Sequence, residues 1–547
     1  MNINFKILIG LIIFASSGVL KAQGDEKLFE ISKNIEIFVN TYKSLNENYV
    51  DDLDPSELMR TGIDAMVKSL DPYTNFISES QVESYRIVDD AKYEGVGCEF
   101  EILDNTPTIT TVYNNSPALT SGLLPGDKIM VINGLSVAGK SKIEIEAAIR
   151  GLPGTKLIVG IQRGNDSSVQ NIEITRGEWM VSNVPYYGII RDDIGYINLS
   201  TFTANAAANI KNALDELKKE DPNLKGLILD LRNNGGGLLR EALAICNLFV
   251  PKGEELVTTK AKDPAKDQSY KTMNIPEDLD IPLVVLVNKR SASASEIVSG
   301  VIQDLDRGVI VGHRTYGKGL VQNTQDIGYN NRLKTTISRY YIPSQRCIQG
   351  FEYENGEPVD ISDDKRSKFK TKNGRIVLDG GGITPDVKTE EVKISPFTQS
   401  LIDKNLIFYY VNDFVSRHDS IVEPDKFEFV EYPDFVKFVK NRGFAFSFKS
   451  EKEIKNLETM LQEEQLSEIT KQDIQELLQK INSAKSNDFF VSKEKEIVDQ
   501  IEQEIVSRYY FENGKIRKTL SSDSEVTTAV DILKDKAQYN RILGINN

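Results

Sequence analysis

The length, composition and charge of the chain limit what it can be. Its 547 residues are too many for one hydrophobic core, so we expect about three or four domains. Hydrophobic residues make up 40% and charged residues 27%, as is usual for a soluble globular protein. The formal net charge of −15 argues against a nucleic-acid partner, because phosphate binding needs a basic face.

The first residues are typical of an export signal. Lys6 supplies a short positive region, and residues 7–19 form an apolar run of signal-peptide length, too short for a comfortable membrane span. Ala22 is a small residue suited to cleavage. We therefore expect residues 1–22 to be a signal peptide and the protein to be exported to the periplasm or cell envelope. An uncleaved anchor is the alternative.

Residues 23–90 are predicted to be a helical region. Apolar side chains recur at helical spacing over 29–42 and again over 58–70, and Asp71-Pro72 ends the second pattern. This apolar surface lies far from any evident core and has two interpretations. It is either the interface of a homodimer formed through these helices or a cap packed on its own chain.

Residues 91–177 change to short strands and glycine-rich turns. The turn residues Ser-Pro-Ala at 116–118, Pro-Gly-Asp at 125–127 and Ile-Asn-Gly at 132–134 stand at defined offsets. This signature resembles that of a PDZ domain. The resemblance implies that Gly95, Val96 and Gly97 bind a peptide carboxylate through consecutive backbone N–H groups, with the peptide adding as a strand.

Residues 178–395 alternate strands with helices, which predicts an α/β domain. Residues 283–287 form an unbroken apolar run typical of a buried strand, and a helix is predicted directly after it at 293–305. Residues 396–547 are predicted to be a C-terminal helical domain, with apolar faces that include 454–461, 474–481 and 497–505. We find no residues in this last region that indicate chemistry.

The serine-rich segment at the predicted strand–helix junction is the densest chemical signal. It reads Ser-Ala-Ser-Ala-Ser-Glu from Ser291 to Glu296. A helix N-terminus favours developing negative charge, and its free backbone N–H groups can serve as an oxyanion hole. The alternative is that serine at such a junction simply caps the helix.

A second segment offers a base. If residues 319–325 form a strand, Lys318 and Gln322 project from one face. A lysine shielded from water has a lowered pKa, and its neutral amine can take a proton from serine. Residues 312–318 also read G-x-x-x-x-G-K, but Gly319 stands where a phosphate-binding loop needs Ser or Thr, so a nucleotide site is not predicted.

Two further observations narrow the mechanism. Three glycines at 235–237 follow a predicted strand, and they allow the backbone to approach a substrate closely. The chain has only two histidines, His313 and His418, and no G-x-S-x-G motif. A histidine-based hydrolase is therefore disfavoured, which leaves lysine as the base.

Taken in order, the motifs LDLRNNGGG, SASASE and TYGKGLVQ resemble those of the C-terminal processing peptidases, or tail-specific proteases. The resemblance implies that Ser293 is the nucleophile, Lys318 the general base and Gln322 its orienting partner. It also implies an oxyanion hole formed by the backbone N–H groups of Ala294 and Gly236. The implied fold is multidomain α+β, with a ClpP/crotonase-like α/β protease core and an inserted β-rich PDZ domain between helical terminal regions.

The resemblance also implies the partners. The substrates would be proteins with apolar C-terminal tails, an adaptor protein would be a further partner, and neither a cofactor nor a metal is expected. Two other functions are kept as alternatives. One is a non-catalytic PDZ adaptor or scaffold, which the intact set of Ser293, Lys318 and Gln322 disfavours. The other is a crotonase-like acyl-transfer enzyme, which the export signal and PDZ signature disfavour.

Overall fold

The computed structural model describes residues 4–79, 81, 92–164, 166–354, 357–391, 393–464, 467–485 and 489–545. These residues form two compact units. The first comprises Met1–Glu79, Gln322–Thr336 and Tyr353–Pro358, and the second comprises the rest of the chain. Over the described residues, no helix has both the length and the apolar character needed to span a membrane.

The first unit contains two helices, Asn4–Asn48 and Pro55–Lys68. The second helix begins after Asp54, whose carboxylate accepts the backbone N–H of Ser56 at 2.7 Å and caps the helix. Helices thus occur over 29–42 and 58–68, where the spacing predicts them, while residues 82–90 of the predicted region lie outside the described residues. The short strand Asn75–Ile77 pairs antiparallel with residues 332–334.

In the second unit, an antiparallel sheet forms over residues 98–175, with its apolar residues in a core of their own. Helix Lys142–Ile149 begins after Ser141, which exchanges hydrogen bonds with Glu144 in a capping box. Strand Cys98–Leu103 lies at one edge of this sheet. The other strands are Thr106–Val112, Lys128–Ile132, Leu135–Ser136, Lys156–Gln162 and Gln170–Thr175, a short helix spans Pro117–Thr120, and a separate ribbon pairs Lys92–Gly95 with Gly177–Met180.

A second six-stranded sheet lies at the centre of the same unit. Its first two strands are antiparallel and the others parallel, and its middle strands are buried along their whole length, as their apolar runs predict. The strands, in spatial order, are Tyr186–Ile189, Ile194–Asn198, Gly226–Asp230, Leu283–Val287, Val309–Gly312 and Val387–Lys388.

Helices cover both faces of this central sheet. Leu227 and Leu229 pack in a core with helices Ala206–Glu220, Leu239–Phe249 and Ala294–Asp304. Ile228 points to the opposite face and packs in a different core, formed with the last helices of the chain, Ser524–Lys534 and Lys536–Ile542. The C-terminal residues therefore complete the core of the sheet.

The chain also forms smaller strands that do not belong to the central sheet. Strand Glu255–Ala261 pairs with Gln268–Lys271 on one side and with residues 338–341 on the other. The remaining strands are Leu320–Gly328, Asn331–Tyr341, Phe351–Glu354, Glu357–Asp360, Lys368–Lys370 and Ile376–Leu378.

The C-terminal helices pack around a largely aromatic core. The face at 497–505 is fully buried, as predicted, but Leu457, Met460 and Leu477 are about half exposed. The predicted apolar faces of two helices are thus only partly covered. The helices are Pro396–Asp403, Leu406–Arg417, Tyr432–Asn441, Lys449–Glu463, Ser467–Lys485, Phe489–Ser492 and Glu494–Leu520.

Candidate active site

The serine-rich turn joins a buried strand to a buried helix. Helix Ala294–Asp304 begins one residue after Ser293, which has φ 56° and ψ −111°. This backbone conformation is rare for a residue with a side chain. Such strain persists only where the surrounding structure enforces it, and it is concentrated at functional sites. The backbone therefore supports a functional role for Ser293.

Ser293 differs from its two serine neighbours in what its hydroxyl does. Ser291 donates to the carbonyl of Leu231 and Ser295 to that of Asn234, each at 2.8 Å, and both serines are fully buried. Ser293 is half-buried, and within the described residues its side chain makes no capping hydrogen bond to the helix. The neighbours fasten the turn to the glycine-rich segment, while the Ser293 hydroxyl is left outside these bonds.

The two backbone N–H groups predicted to form the oxyanion hole differ in their hydrogen bonding. The N–H of Ala294 is the first of the helix and, among the described residues, it donates no hydrogen bond within the protein. The N–H of Gly236, by contrast, donates to Oδ1 of Asn234 at 2.9 Å. A donor used in this way would have to give up that bond to bind an oxyanion. The role of Gly236 as an oxyanion donor therefore stays a prediction, and it requires this hydrogen bond to open.

Gly236 nevertheless lies against the nucleophile turn. Its φ is +100°, and a Cβ at this position would lie 2.7 Å from the carbonyl oxygen of Ala292, 2.9 Å from Cβ of Ser293 and 3.0 Å from N of Ala294. Contacts this short with backbone atoms leave no room for any side chain. A glycine is required here because the two loops pack directly on each other.

A buried carboxylate joins the Ser293 turn to the Lys318 segment. Glu296 is fully buried, and its Oε2 accepts the backbone N–H of Ser293 and that of Lys318, each at 2.8 Å. Its Oε1 accepts the N–H of Gly317 at 2.7 Å and the hydroxyl of Thr315 at 2.5 Å. Burial raises the pKa of Glu296 to about 7, although the four donated hydrogen bonds favour the charged form.

A tyrosine makes a second connection between the same two segments. Tyr340 is buried, and its hydroxyl donates to the carbonyl of Lys318 and lies 3.2 Å from the carbonyl oxygen of Ser293. The backbones of the predicted nucleophile and base are thus held together by one carboxylate and one hydroxyl. Lys318 itself is half-buried.

Gln322, the predicted partner of Lys318, belongs to the first compact unit. It lies in strand Leu320–Gly328, and its amide donates to Oγ1 of Thr336 at 3.4 Å. The strand begins two residues after Lys318, so Lys318 lies in the preceding loop rather than in the strand. The orienting role of Gln322 stays a prediction.

The predicted carboxylate-binding loop is anchored by its carbonyl groups. The carbonyl of Val96 accepts the N–H of Ala118 at 2.8 Å, and that of Gly97 accepts the N–H of Tyr113 at 3.1 Å. Gly97 has φ +79°, and a Cβ there would lie 2.3 Å from Cβ of Ser116. In both bonds the loop contributes a carbonyl group as the acceptor. The edge strand Cys98–Leu103 follows directly.

Three family models match the chain. The model of peptidase family S41 matches residues 193–355, that of the PDZ domain matches 95–175, and that of the C-terminal helical domain of probable PDZ-proteases matches 397–533. The first match includes the serine-rich turn, the Lys318 segment and Gln322.

The relatives decide the assignment. A probable CtpA-like serine protease of Staphylococcus aureus strain MRSA252 is 32% identical over 354 residues, which cover 63% of this chain and 70% of the relative. This chain belongs to the C-terminal processing peptidase family. The family consists of serine-type peptidases, and the α+β multidomain class predicted from the sequence agrees with it.

Other similar proteins extend the comparison. The probable CtpA-like serine protease of S. aureus strain COL is 33% identical over 321 residues, or 58% of this chain, and the match spans 63% of that relative's length. Among solved structures, a photosystem II D1 C-terminal processing protease is 25% identical, with 64% of this chain and 92% of that chain covered and a TM-score of 0.36.

The two histidines of this family member have other partners. Nε2 of His313 lies 3.2 Å from a carboxylate oxygen of Glu525. The ring of His418 stacks on Phe414, and its Nδ1 lies 2.9 Å from the carbonyl oxygen of the same residue. Each imidazole is thus engaged with the C-terminal helices, which is consistent with a base other than histidine.

Sequence reasoning missed Glu296 and Tyr340. Glu296 had a signal, because it stands three residues after Ser293, the spacing at which a glutamate bonds back to the N-cap backbone. Its second function, binding the Lys318 segment, depends on the tertiary fold. Tyr340 is 47 residues from Ser293, and nothing in the local pattern marks it.

Proposed function

We propose that this protein is an exported serine endopeptidase that binds protein C-termini through its PDZ domain and cleaves upstream of them. Ser293 is the nucleophile and Lys318 the general base. The observation that carries the proposal is the junction at Glu296, whose Oε2 is 2.8 Å from the backbone nitrogens of both residues. A serine in a strained turn, fixed beside a lysine segment, suits nucleophilic catalysis.

The reaction proceeds in two halves. The hydroxyl oxygen of Ser293 bonds to the scissile carbonyl carbon as its proton passes to the neutral amine of Lys318, and the N–H of Ala294 binds the developing oxyanion. The carbon–nitrogen bond then breaks, and Lys318 returns the proton to the leaving amine. Water attacks the acyl-enzyme, with Lys318 again taking the proton, and Ser293 is regenerated. Gln322 orients the amine of Lys318.

The same proposal includes a ClpP/crotonase-like core. The parallel order of the central sheet, with helices packed on it after its strands, supports this assignment. The glycine-rich and serine-rich loops both follow the carboxyl ends of adjacent parallel strands, Gly226–Asp230 and Leu283–Val287, which places them at one edge of the sheet.

Tail recognition rests on the PDZ region. A C-terminal carboxylate would accept N–H groups of the Gly95–Gly97 loop, and the peptide would add to the edge strand Cys98–Leu103. An apolar last residue is preferred, because the proposed site pairs the carboxylate loop with an apolar pocket.

The test uses the protein without residues 1–22 and three forms of one protein substrate. These end in a free apolar tail, the same tail amidated, and Asp-Asp. Products are identified by mass spectrometry at subsaturating substrate. We expect the free apolar tail to be cleaved fastest, because charge-assisted hydrogen bonds are roughly twice as strong as neutral ones. Equal rates for all three would contradict tail recognition, and tail binding without cleavage would indicate an adaptor.

The proposal extends to partners. The first helix exposes Leu28, Phe29 and Ile35, each with about 60% or more of its surface accessible, which supports a homodimer formed through this face. Sedimentation of the full chain and of a Phe29→Ser/Ile35→Ser variant tests this. A monomeric wild-type protein would contradict the dimer.

An adaptor protein is the other proposed partner. It is tested by comparing the rate of tail cleavage with and without added cell-envelope extract.

A further inference from the structure

Arg232 connects the glycine-rich loop to the end of the chain. It follows strand Gly226–Asp230 and stands three residues before the first of the three glycines. Its guanidinium, largely buried, lies 2.6 Å from Oδ2 of Asp230, 2.8 Å from Oδ2 of Asp523 and 2.6 Å from Oε2 of Glu525. Two of its three acidic partners thus come from the start of helix Ser524–Lys534, about three hundred residues downstream.

Glu525 also faces the segment that leads to Lys318. Its Oε1 lies 3.2 Å from Nε2 of His313 and accepts the hydroxyl of Thr389 at 2.9 Å. His313 follows strand Val309–Gly312 and stands five residues before Lys318. One carboxylate of the C-terminal region therefore contacts the root of the glycine-rich loop and the root of the loop that carries Lys318.

The position of these acids is fixed by the packing of their helix. Val526, Ala529 and Val530 are buried against the central sheet. Asp523 has two functions, since its Oδ1 caps the helix by accepting the N–H groups of Glu525 and Val526, while its Oδ2 binds Arg232. Carboxylates at a helix N-terminus are also favoured by the helix dipole.

A short chain of contacts runs from Arg232 to the nucleophile. The next residue, Asn233, exchanges two hydrogen bonds of 3.0 Å with Asn288, which begins the serine-rich loop. The carbonyl of Asn234 accepts the N–H of Ala292 at 3.0 Å. Two residues on, Gly236 packs against Ser293. A shift of Arg232 would thus move the backbone that borders the nucleophile.

We propose that Asp523 and Glu525 are positioning residues for peptide hydrolysis, acting through Arg232 and His313 to set the two loops around Ser293. The inference rests on the proposed function and gives the C-terminal helical region a part in catalysis. Neither acid touches the substrate. Removing Asp523 and Glu525 takes away two of the three acidic partners of Arg232, so its guanidinium would reorient toward Asp230.

The test compares single and double variants of the two acids. Glu525→Gln keeps the shape of the side chain, and Asp523→Ser removes the charge but keeps a residue that caps helices well. Asp425→Asn is the matched control, because Asp425 forms an exposed 2.7 Å pair with Arg517 in the same C-terminal region. For each protein, kcat and KM for a tailed substrate are measured together with the melting temperature.

We expect kcat of the double variant to fall roughly ten- to hundredfold, because small displacements of reacting groups are costly. KM should stay within about twofold, since the PDZ loop is not involved, and Glu525→Asp should recover part of the lost kcat. The control should keep its kcat. If the double variant fails to fold, the Glu525→Gln single variant decides, with an expected loss of about tenfold.

Two outcomes overturn the inference. A folded variant with wild-type kcat would show that the acids do not position the loops. A loss of activity no larger than the loss of folded protein, with no recovery in Glu525→Asp, would show a structural role alone. Failure of the proposed function would give a different result. In that case the wild-type protein would not cleave the tailed substrate, or the Ser293→Ala variant would cleave it at the wild-type rate.

Discussion

The loops around Ser293 and the loop at Gly95–Gly97 are built differently. Around Ser293, a positive-φ serine, a glycine in direct contact and a buried carboxylate with four donors fix the backbone from several sides. The PDZ loop is held through two carbonyl groups, and its N–H groups are left out of these bonds. Bond cleavage requires reacting groups at fixed distances, whereas carboxylate binding requires only that donors face one space.

Among substitutions that leave Ser293 and Lys318 in place, the largest effect should follow the removal of the carboxylate of Glu296. Glu296→Gln replaces one of the two carboxylate oxygens with an NH2 group. This group cannot accept a hydrogen bond, so a single oxygen is left for the four donors. We expect kcat to fall roughly hundredfold, because the Ser293 and Lys318 segments lose their common acceptor. Steady-state kinetics at saturating tailed substrate measures this. A kcat within twofold of wild type in a folded variant would show that Tyr340 alone suffices.

The same variant tests the pKa of Glu296. Because burial raises this pKa from 4.5 to about 7, the folded protein keeps a proton that the unfolded chain releases. The stabilisation is present in full below pH 4.5 and is lost as the pH rises to about 7, a change of about 3 kcal/mol. Urea unfolding of wild type and Glu296→Gln across this range should show the decline only in wild type. Parallel pH profiles would contradict the raised pKa.

A smaller effect is expected from Gly236→Ala. The new Cβ would meet the backbone of Ala292 and Ala294 at 3.0 Å or less, so the loop must move away from Ser293. We expect kcat to fall about tenfold and stability by about 1–3 kcal/mol. Gly235→Ala is the control, since a Cβ there meets no atom within 4 Å. Equal kinetics of the two variants would rule out a positional requirement at Gly236.

The smallest effect should come from the PDZ loop. In Gly97→Ala the Cβ would clash with Cβ of Ser116 at 2.3 Å, which would displace the N–H groups that we propose bind the carboxylate. We expect KM for a tailed substrate to rise several-fold while kcat for a short untailed peptide is unchanged. Gly139→Ala has a similar φ of +75° with no atom near its Cβ, and it controls for backbone strain. A change of kcat alone would indicate that this loop gates the active site instead.

The two regions also differ in how far the sequence could predict them. Strand Leu283–Val287 and its following helix were predictable because an apolar run and a capping pattern are local. Ser293 was predicted as the nucleophile from the family resemblance, because its place at that junction alone left helix capping as an alternative. The hydrogen bond that the Gly236 N–H donates to Oδ1 of Asn234 was not predictable, because the choice of acceptor for a backbone N–H depends on the folded conformation of the loop.

The C-terminal region shows the same limit over a longer distance. Residues 497–505 form a buried face, as their spacing predicts. The contact of Glu525 with Arg232 joins residues 293 positions apart, and no periodicity encodes it. For this reason the region gave no chemical signal in the sequence, although Asp523 and Glu525 bind Arg232 of the LDLRNNGGG motif.

The identity of the base is the central claim, and Lys318→Arg tests it most directly. Arginine keeps the positive charge and much of the length of the side chain, but its guanidinium stays protonated and cannot accept the serine proton. The rate of tail cleavage is measured for the folded variant at saturating substrate. We predict a loss of roughly a thousandfold or more, comparable with that of Ser293→Ala, because the two residues act as a unit. A Lys318→Arg protein that cleaves at a rate near wild type would contradict the serine–lysine mechanism.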